Sequence, residues 1–140
     1  MARLDVDFRG FDNLLHKIDA LQGDVKDIAK KALQEVHGDI TPRVHKDMEK
    51  HHRTGETEDT IEDTATIRWN GRVAYVRVGF HIERKEPRKG LPSVYLMYGT
   101  PKMDPDKKLY NEFFGAAAKR RIREIEEDVL YEELRRLELM

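Results

Sequence analysis

The chain predicts an α+β domain, a small antiparallel sheet with a central β-hairpin packed against two long helices. Three observations carry that expectation. Residues 64–80 alternate apolar and polar side chains around Asn70-Gly71. Residues 25–48 and about 105–138 carry apolar side chains at helical spacing instead. The length of 140 residues suits a single domain with its own core, needing neither a disulfide nor a metal.

At the start, Leu4, Val6 and Phe8 alternate with Arg3, Asp5, Asp7 and Arg9, the period-2 pattern of a half-buried strand that Gly10 ends. Phe11, Leu14, Leu15, Ile18 and Leu21 follow helical spacing and predict a short amphipathic helix. Gln22-Gly23 breaks it, and Asp24 is the next N-cap. Val25, Ile28, Ala29, Ala32, Leu33, Val36, Ile40, Val44 and Met48 then line one face of a longer helical segment. Proline lacks a backbone donor and crowds the carbonyl four residues earlier, so Gly38 and Pro42 predict a kink or split near 38–42. The helix should fade by His51-His52, with a turn at Thr54-Gly55 and one more helical turn over Glu56 to Ile61.

Thr64 to Trp69 and Arg72 to Phe80 flank Asn70-Gly71, the pair that best tolerates the positive φ angles of a type I′ turn. A two-residue loop there would pair Trp69 with Arg72, Ile67 with Ala74 and Ala65 with Val76. Ala65, Ile67, Trp69, Ala74, Val76 and Val78 then share one face. Residues 83–92 are charged and broken by Pro87, Gly90 and Pro92, which predicts a mobile loop. Ser93 to Tyr98 is a short apolar piece, strand or single helical turn, closed by Gly99-Thr100-Pro101. Asp104 should cap the last helix, with Pro105 at its first position and a bend at Gly115. Its stripe of Ala118, Ile122, Ile125 and Val129 passes by one residue to Leu130, Leu134 and Leu137. That shift predicts that the last three turns leave the protein's own core.

Composition narrows the function classes. With no cysteine, a disulfide framework and a thiol nucleophile are excluded. Charged residues make up 38% yet nearly cancel to a net −1, whereas a dedicated nucleic-acid binder carries a surplus of Lys and Arg. No apolar run approaches the roughly 20 residues that span a bilayer. The opening Met1-Ala2-Arg3-Leu4-Asp5 lacks the apolar stretch of a secretory signal, which predicts a cytoplasmic protein.

Candidate chemistry is sparse. Of His45, His51 and His52 at most two share a helix face, and HExxH is missing, so no metal is expected. Ser93 lies in Pro-Ser-Val-Tyr, not in a nucleophile elbow. No glycine-rich phosphate loop occurs, and Glu126-Glu127 and Glu132-Glu133 sit on a charged helix where such pairs solubilise. The expectation is a protein with no catalytic residue and no cofactor. Lys119, Arg120, Arg121 and Arg123 precede Glu124, Glu126, Glu127 and Asp128, so i,i+4 pairs Arg120–Glu124 and Arg123–Glu127 should neutralise them in place. Arg84, Lys85, Arg88 and Lys89 lie in the charged loop, mixed with Glu83 and Glu86. They could touch passing DNA, order against a neighbouring subunit, or serve only as loop.

Several landmarks follow one another along the chain: Arg53-Thr54-Gly55 with Thr60-Ile61, then Val76-Arg77-Val78-Gly79, Tyr95, Tyr98-Gly99-Thr100, and Phe113-Phe114-Gly115-Ala116. Over residues 3–135 this order resembles the tail-component (tail completion or neck) family of long-tailed bacteriophages and prophages. The resemblance implies a structural virion protein at the head–tail junction or the top of the tail, and no enzyme. Its partners would be itself, in a ring homo-oligomer, and other neck and tail proteins. No membrane and no specific nucleic acid is implied, beyond passing contact with phage DNA. It would reside in the host cytoplasm during assembly and then in the virion. Ring contacts are heterologous, one surface meeting a different one on the next copy. Arg84, Lys85, Arg88 and Lys89 and the Leu130, Leu134 and Leu137 face are the expected contacts, because a monomer's core has no evident use for either. Thr54, Gly55, Tyr98, Gly99 and Thr100 would shape turns and perform no reaction. The alternative is a cytosolic adaptor or regulatory module that binds its partner through the C-terminal helix.

Overall fold

A computed structural model describes residues 3–8, 11–21, 23–51, 55–70, 73–82 and 87–138. Strand β1 (Arg3–Val6) leads to α1 (Asp12–Ala20) and α2 (Val25–Met48). Short 3₁₀ turns at Glu49–His51 and Glu58–Thr60 precede β2 (Ile67–Asn70) and β3 (Val73–Gly79). Helices α3 (Pro87–Tyr98), α4 (Lys107–Phe114) and α5 (Ala116–Glu138) complete the chain. The strands form one antiparallel sheet in the order β1-β3-β2, so the fold is α+β, with the hairpin packed against the long helix α2, on which the second long helix, α5, also packs.

The central helix α2 packs against both β3 and α5. Its Asp24 side chain accepts from the Asp27 N–H at 3.1 Å and caps the first turn. Val36, Ile40, Val44 and Met48 are buried at one-turn spacing and meet Val76, Val78 and Phe80 from the sheet side in one core with Leu109, Phe113, Val129 and Leu130. That long stripe explains why α2 is a single helix through Gly38 and Pro42, so the split that these residues predict does not occur. Both residues face solvent, so water can satisfy the Gly38 carbonyl that Pro42 leaves unbonded.

The hairpin has the expected faces in a different register. Ile67 opposes Val76, Trp69 opposes Ala74 and Asn70 opposes Val73. Residues 71 and 72, between the paired ends, lie outside the described residues. The slip is two residues, and an even step keeps every side chain on its face, so the hydrophobic pattern alone does not choose between the two registers. Val76 is also fixed from the other side, where it opposes Val6 while Val78 opposes Leu4. On the outer face the directly paired Arg77 and Asp5 form an ion pair of 3.0 Å. Trp69, expected on the buried face, is 46% exposed beyond the edge of the core, beside Asp24, Lys26 and Lys30.

Three further expectations change. The charged stretch is not a loop throughout, since Pro87 opens α3, and Ser93 to Tyr98 is helix rather than strand or single turn. The last helix is capped by Asp106, whose Oδ1 accepts from the Leu109 N–H at 3.2 Å, and not by Asp104. It is also two helices, because Gly115 is extended (φ −70°, ψ 157°) between α4 and α5. No described helix is long and apolar enough to cross a membrane.

Candidate assembly surface

Helix α3 begins with proline at its first position, where the absent N–H is no loss. Its inner face is small and tightly set. A Cβ at Gly90 would stand 2.5 Å from the His81 carbonyl, Ser93 donates to the Gly90 carbonyl at 2.6 Å, and Met97 is buried. Leu91, Tyr95 and Tyr98 recur at i, i+4 and i+7 and therefore share the opposite face. Those three side chains, with Met103 from the following turn, are 37–47% exposed.

The surface is supported from behind. The Tyr98 ring meets Tyr110 edge-on at 5.7 Å, Tyr110 meets Phe114 at 5.2 Å, and Phe114, Phe113 and Phe80 continue the aromatic contacts into the core. Gly99 turns the chain at φ +76°, donates to the Tyr95 carbonyl at 2.8 Å, and leaves room for the Met103 carbonyl. Thr100 and Met103 bond each other's backbones, and the Asp106 N–H reaches the Leu96 carbonyl at 2.6 Å. Asp106 then ties this turn to the end of α2, with His51 Nε2 at 2.7 Å and Lys50 Nζ at 3.1 Å from its Oδ2. Burial alone would raise this carboxyl. The bonds from His51, the Leu109 N–H and Lys50 outweigh burial and hold it down at about 2.

The expected contact residues divide. Arg84 and Lys85 lie outside the described residues, as does Thr54. Arg88 and Lys89 fall in the first turn of α3, with Lys89 half-buried beside a cleft of about 530 Å³ that Glu56, Asp59, Glu62 and His81 also line. Leu130 and Leu134 are buried, and Leu137 packs against the same core. The C-terminal leucines are thus not a spare surface. The shift of stripe follows the neighbours, since α5 packs on α1 as well as on α2 and α4. Gly55 and Gly99 both take positive φ, as the turn assignment required, and Tyr98 and Thr100 are exposed.

The expected salt-bridged face of α5 is also different. Arg121 turns inward to Asp39 at 3.2 Å and Glu112 at 3.5 Å, and Arg123 lies over the Phe11 ring at 5.9 Å. Arg120–Glu124 and Arg123–Glu127 are not among the ion pairs of the described residues. Glu124, Glu127, Asp128 and Glu132 stand exposed around Tyr131, itself 45% exposed.

Two histidines of the fold have structural partners. Buried His37 donates from Nε2 to the Glu62 carbonyl at 2.8 Å and accepts at Nδ1 from the Thr41 hydroxyl at 3.3 Å. His45 lies between Glu58 (3.0 Å) and Asp63 (2.5 Å). Burial lowers its pKa, but the two carboxylates outweigh that and raise it above the usual histidine value. Among the described residues no three His, Cys, Asp or Glu side chains are arranged to hold a metal. Two buried oxygens, Asp47 Oδ2 and Glu126 Oε2, make no hydrogen bond. Burial, with Asp7 nearby, pushes the Glu126 carboxyl up to about 8.

The α3 face was missed in the sequence because Pro87, Pro92 and the surrounding charges read as loop. The spacing of Leu91, Tyr95 and Tyr98 was the signal available. Compared with family models, curated proteins and solved structures, the chain matches none of them.

Proposed function

We propose that this chain is a structural virion protein of a long-tailed phage or prophage, placed at the head–tail junction or the top of the tail. It acts by assembling into a ring of copies and by binding other neck and tail proteins. It is made in the host cytoplasm and carried into the virion, with no catalytic step and no specific nucleic-acid site. The order of turn and strand motifs described above supports this family reading.

One observation carries the assembly part: the outward face of α3 presents Leu91, Tyr95 and Tyr98, with Met103 beside it, on a rigidly backed helix. A contiguous exposed apolar patch that is also held in place marks a contact surface. Aromatic side chains are the residue type that anchors such contacts. The C-terminal leucine face, named for the ring contact and for the adaptor reading alike, is core in the monomer and favours neither reading.

Deleting the gene from its parent phage or prophage and imaging the induced lysate by electron microscopy tests the proposal. Filled heads lying apart from tails, or tails of abnormal length, are expected. Normal infectious virions would overturn it.

A further inference from the structure

We infer that His45 is a charge latch: its imidazolium clasps the 55–63 segment to α2 through Glu58 and Asp63, and loss of the ring proton releases the turn on which α3 is seated. The latch stands whether or not the chain belongs to a virion.

Geometry fixes the protonation state at this joint. His45 Nδ1 lies 3.0 Å from Glu58 Oε1, and Nε2 lies 2.5 Å from Asp63 Oδ1. An ionised carboxylate only accepts, so both ring nitrogens carry a proton and the ring is charged. Burial opposes that charge, and the two carboxylates outweigh it. A neutral ring holds one proton fewer. One of the two bonds is then lost, and a ring lone pair faces a carboxylate oxygen. Of the other charged groups nearby in the fold, Asp59 and Glu62 belong to the same segment, Glu62 pairs with His81 at 3.7 Å, and Glu49 lies one turn along α2. The carboxylates that act on the ring are Glu58 and Asp63.

The segment is fastened unevenly. Its far end is tied to the sheet by backbone bonds, Glu62 N–H to the Gly79 carbonyl at 2.9 Å and His81 N–H to the Thr60 carbonyl at 2.8 Å, with Ile61 buried in the core. Buried His37 also donates to the Glu62 carbonyl. The near end is a turn with local bonds, Asp59 N–H to the Gly55 carbonyl at 3.0 Å and Thr60 N–H to the Thr57 carbonyl at 3.1 Å. Glu58 ties that turn back to α2 through His45. Helix α3 packs on residues 58–60, and the same turn lines the cleft that Lys89 of α3 completes. The latch therefore sets how firmly α3 is seated, while the sheet end stays fixed. Because the folded pKa is raised, its contribution is complete below the 6.5 of an ordinary histidine and is lost as pH rises through the folded value.

Proton NMR and amide hydrogen exchange on the full chain, between about pH 5 and 9, test the latch. The His45 ring resonance, identified by its absence in His45→Gln, should titrate with a midpoint above 6.5. Corrected for intrinsic exchange, protection of the Asp59, Thr60 and Ile61 amides should fall as pH rises. The fall should be roughly tenfold for each pH unit by which that midpoint exceeds 6.5. His45→Gln should leave the turn open at every pH. His45→Arg keeps a cation throughout and should hold the turn closed to the alkaline end, which separates the ring proton of His45 from the titration of Glu126. The His45 side chain is 32% exposed, and thermal melting confirms that both variants are folded. A midpoint at or below 6.5 would overturn the latch, with or without the variants. So would turn protection that ignores pH in the wild type, or a loss of protection that His45→Arg shares.

Discussion

Leu134 shows how one residue's place in the core decides the meaning of a mutation. Read as part of a stripe leaving the fold, it would tolerate charge. Buried with Leu130 and Val129 against the rest of the core, it does not. Leu134→Glu is expected to cost about 3–5 kcal/mol through lost packing and a buried charge, read as a lowered urea midpoint. A near-native midpoint would return this face to the list of free surfaces. Glu126 carries the opposite lesson, an acid kept inside without a partner for Oε2. Its folded pKa, raised to about 8 from 4.5, means the folded chain holds a proton that the unfolded chain has released between those values. The contribution is therefore full below pH 4.5 and lost as pH rises through about 8. Glu126→Gln should remove this loss, gaining on the order of 1–3 kcal/mol at pH 8.5 relative to the wild type and little at pH 4.5.

At the scale of elements, periodicity did well and punctuation did less well. The extent of α1 and the buried stripe of α2 follow directly from apolar spacing, since a face that meets a core must repeat every three or four residues. Helix α3 was hidden because Pro87 and Gly90 look like breakers, yet proline is welcome at a first turn and Gly90 is needed for contact with the His81 carbonyl. The cap of α4 was misplaced by two residues because Asp104-Pro105 and Asp106 are equally good start signals in one dimension. Asp106 wins through His51 and Lys50, which reach it only in the folded chain. Asp106→Ala should cost about 1–2 kcal/mol in denaturant unfolding, while exposed Asp104→Ala should change stability by less than about 0.5 kcal/mol. Equal effects would contradict the assignment. Gly99→Ala is expected to destabilise by about 1–2 kcal/mol, as its φ of +76° is joined by a Met103 carbonyl 2.9 Å from the added Cβ.

For the molecule as a whole, two strongly displaced carboxyls, Asp106 and Glu126, set opposing limits on stability. Asp106, lowered from 3.8 to about 2, contributes above pH 3.8 and loses that contribution as pH falls through about 2. Glu126 contributes below pH 4.5 and loses it towards pH 8. The windows overlap near pH 4, so the melting temperature should peak on the acid side of neutrality. A flat profile from pH 4 to 8 would show that Glu126 is ionised without penalty. The proposed ring belongs to this scale too, because a contact face has meaning only for several copies together.

The sequence by itself determined the α+β class, the hairpin's faces, the path of α1, the buried stripe of α2 and the turn glycines, all of which rest on local periodicity or on backbone angles that few residues adopt. Tertiary structure alone decided the hairpin register, the helical state of 87–98, the cap at Asp106 and the packing of Leu130, Leu134 and Leu137 on the core. The physical reason is common to all four. Each depends on which surface lies opposite, and an amphipathic stripe states that a partner exists without stating where it is.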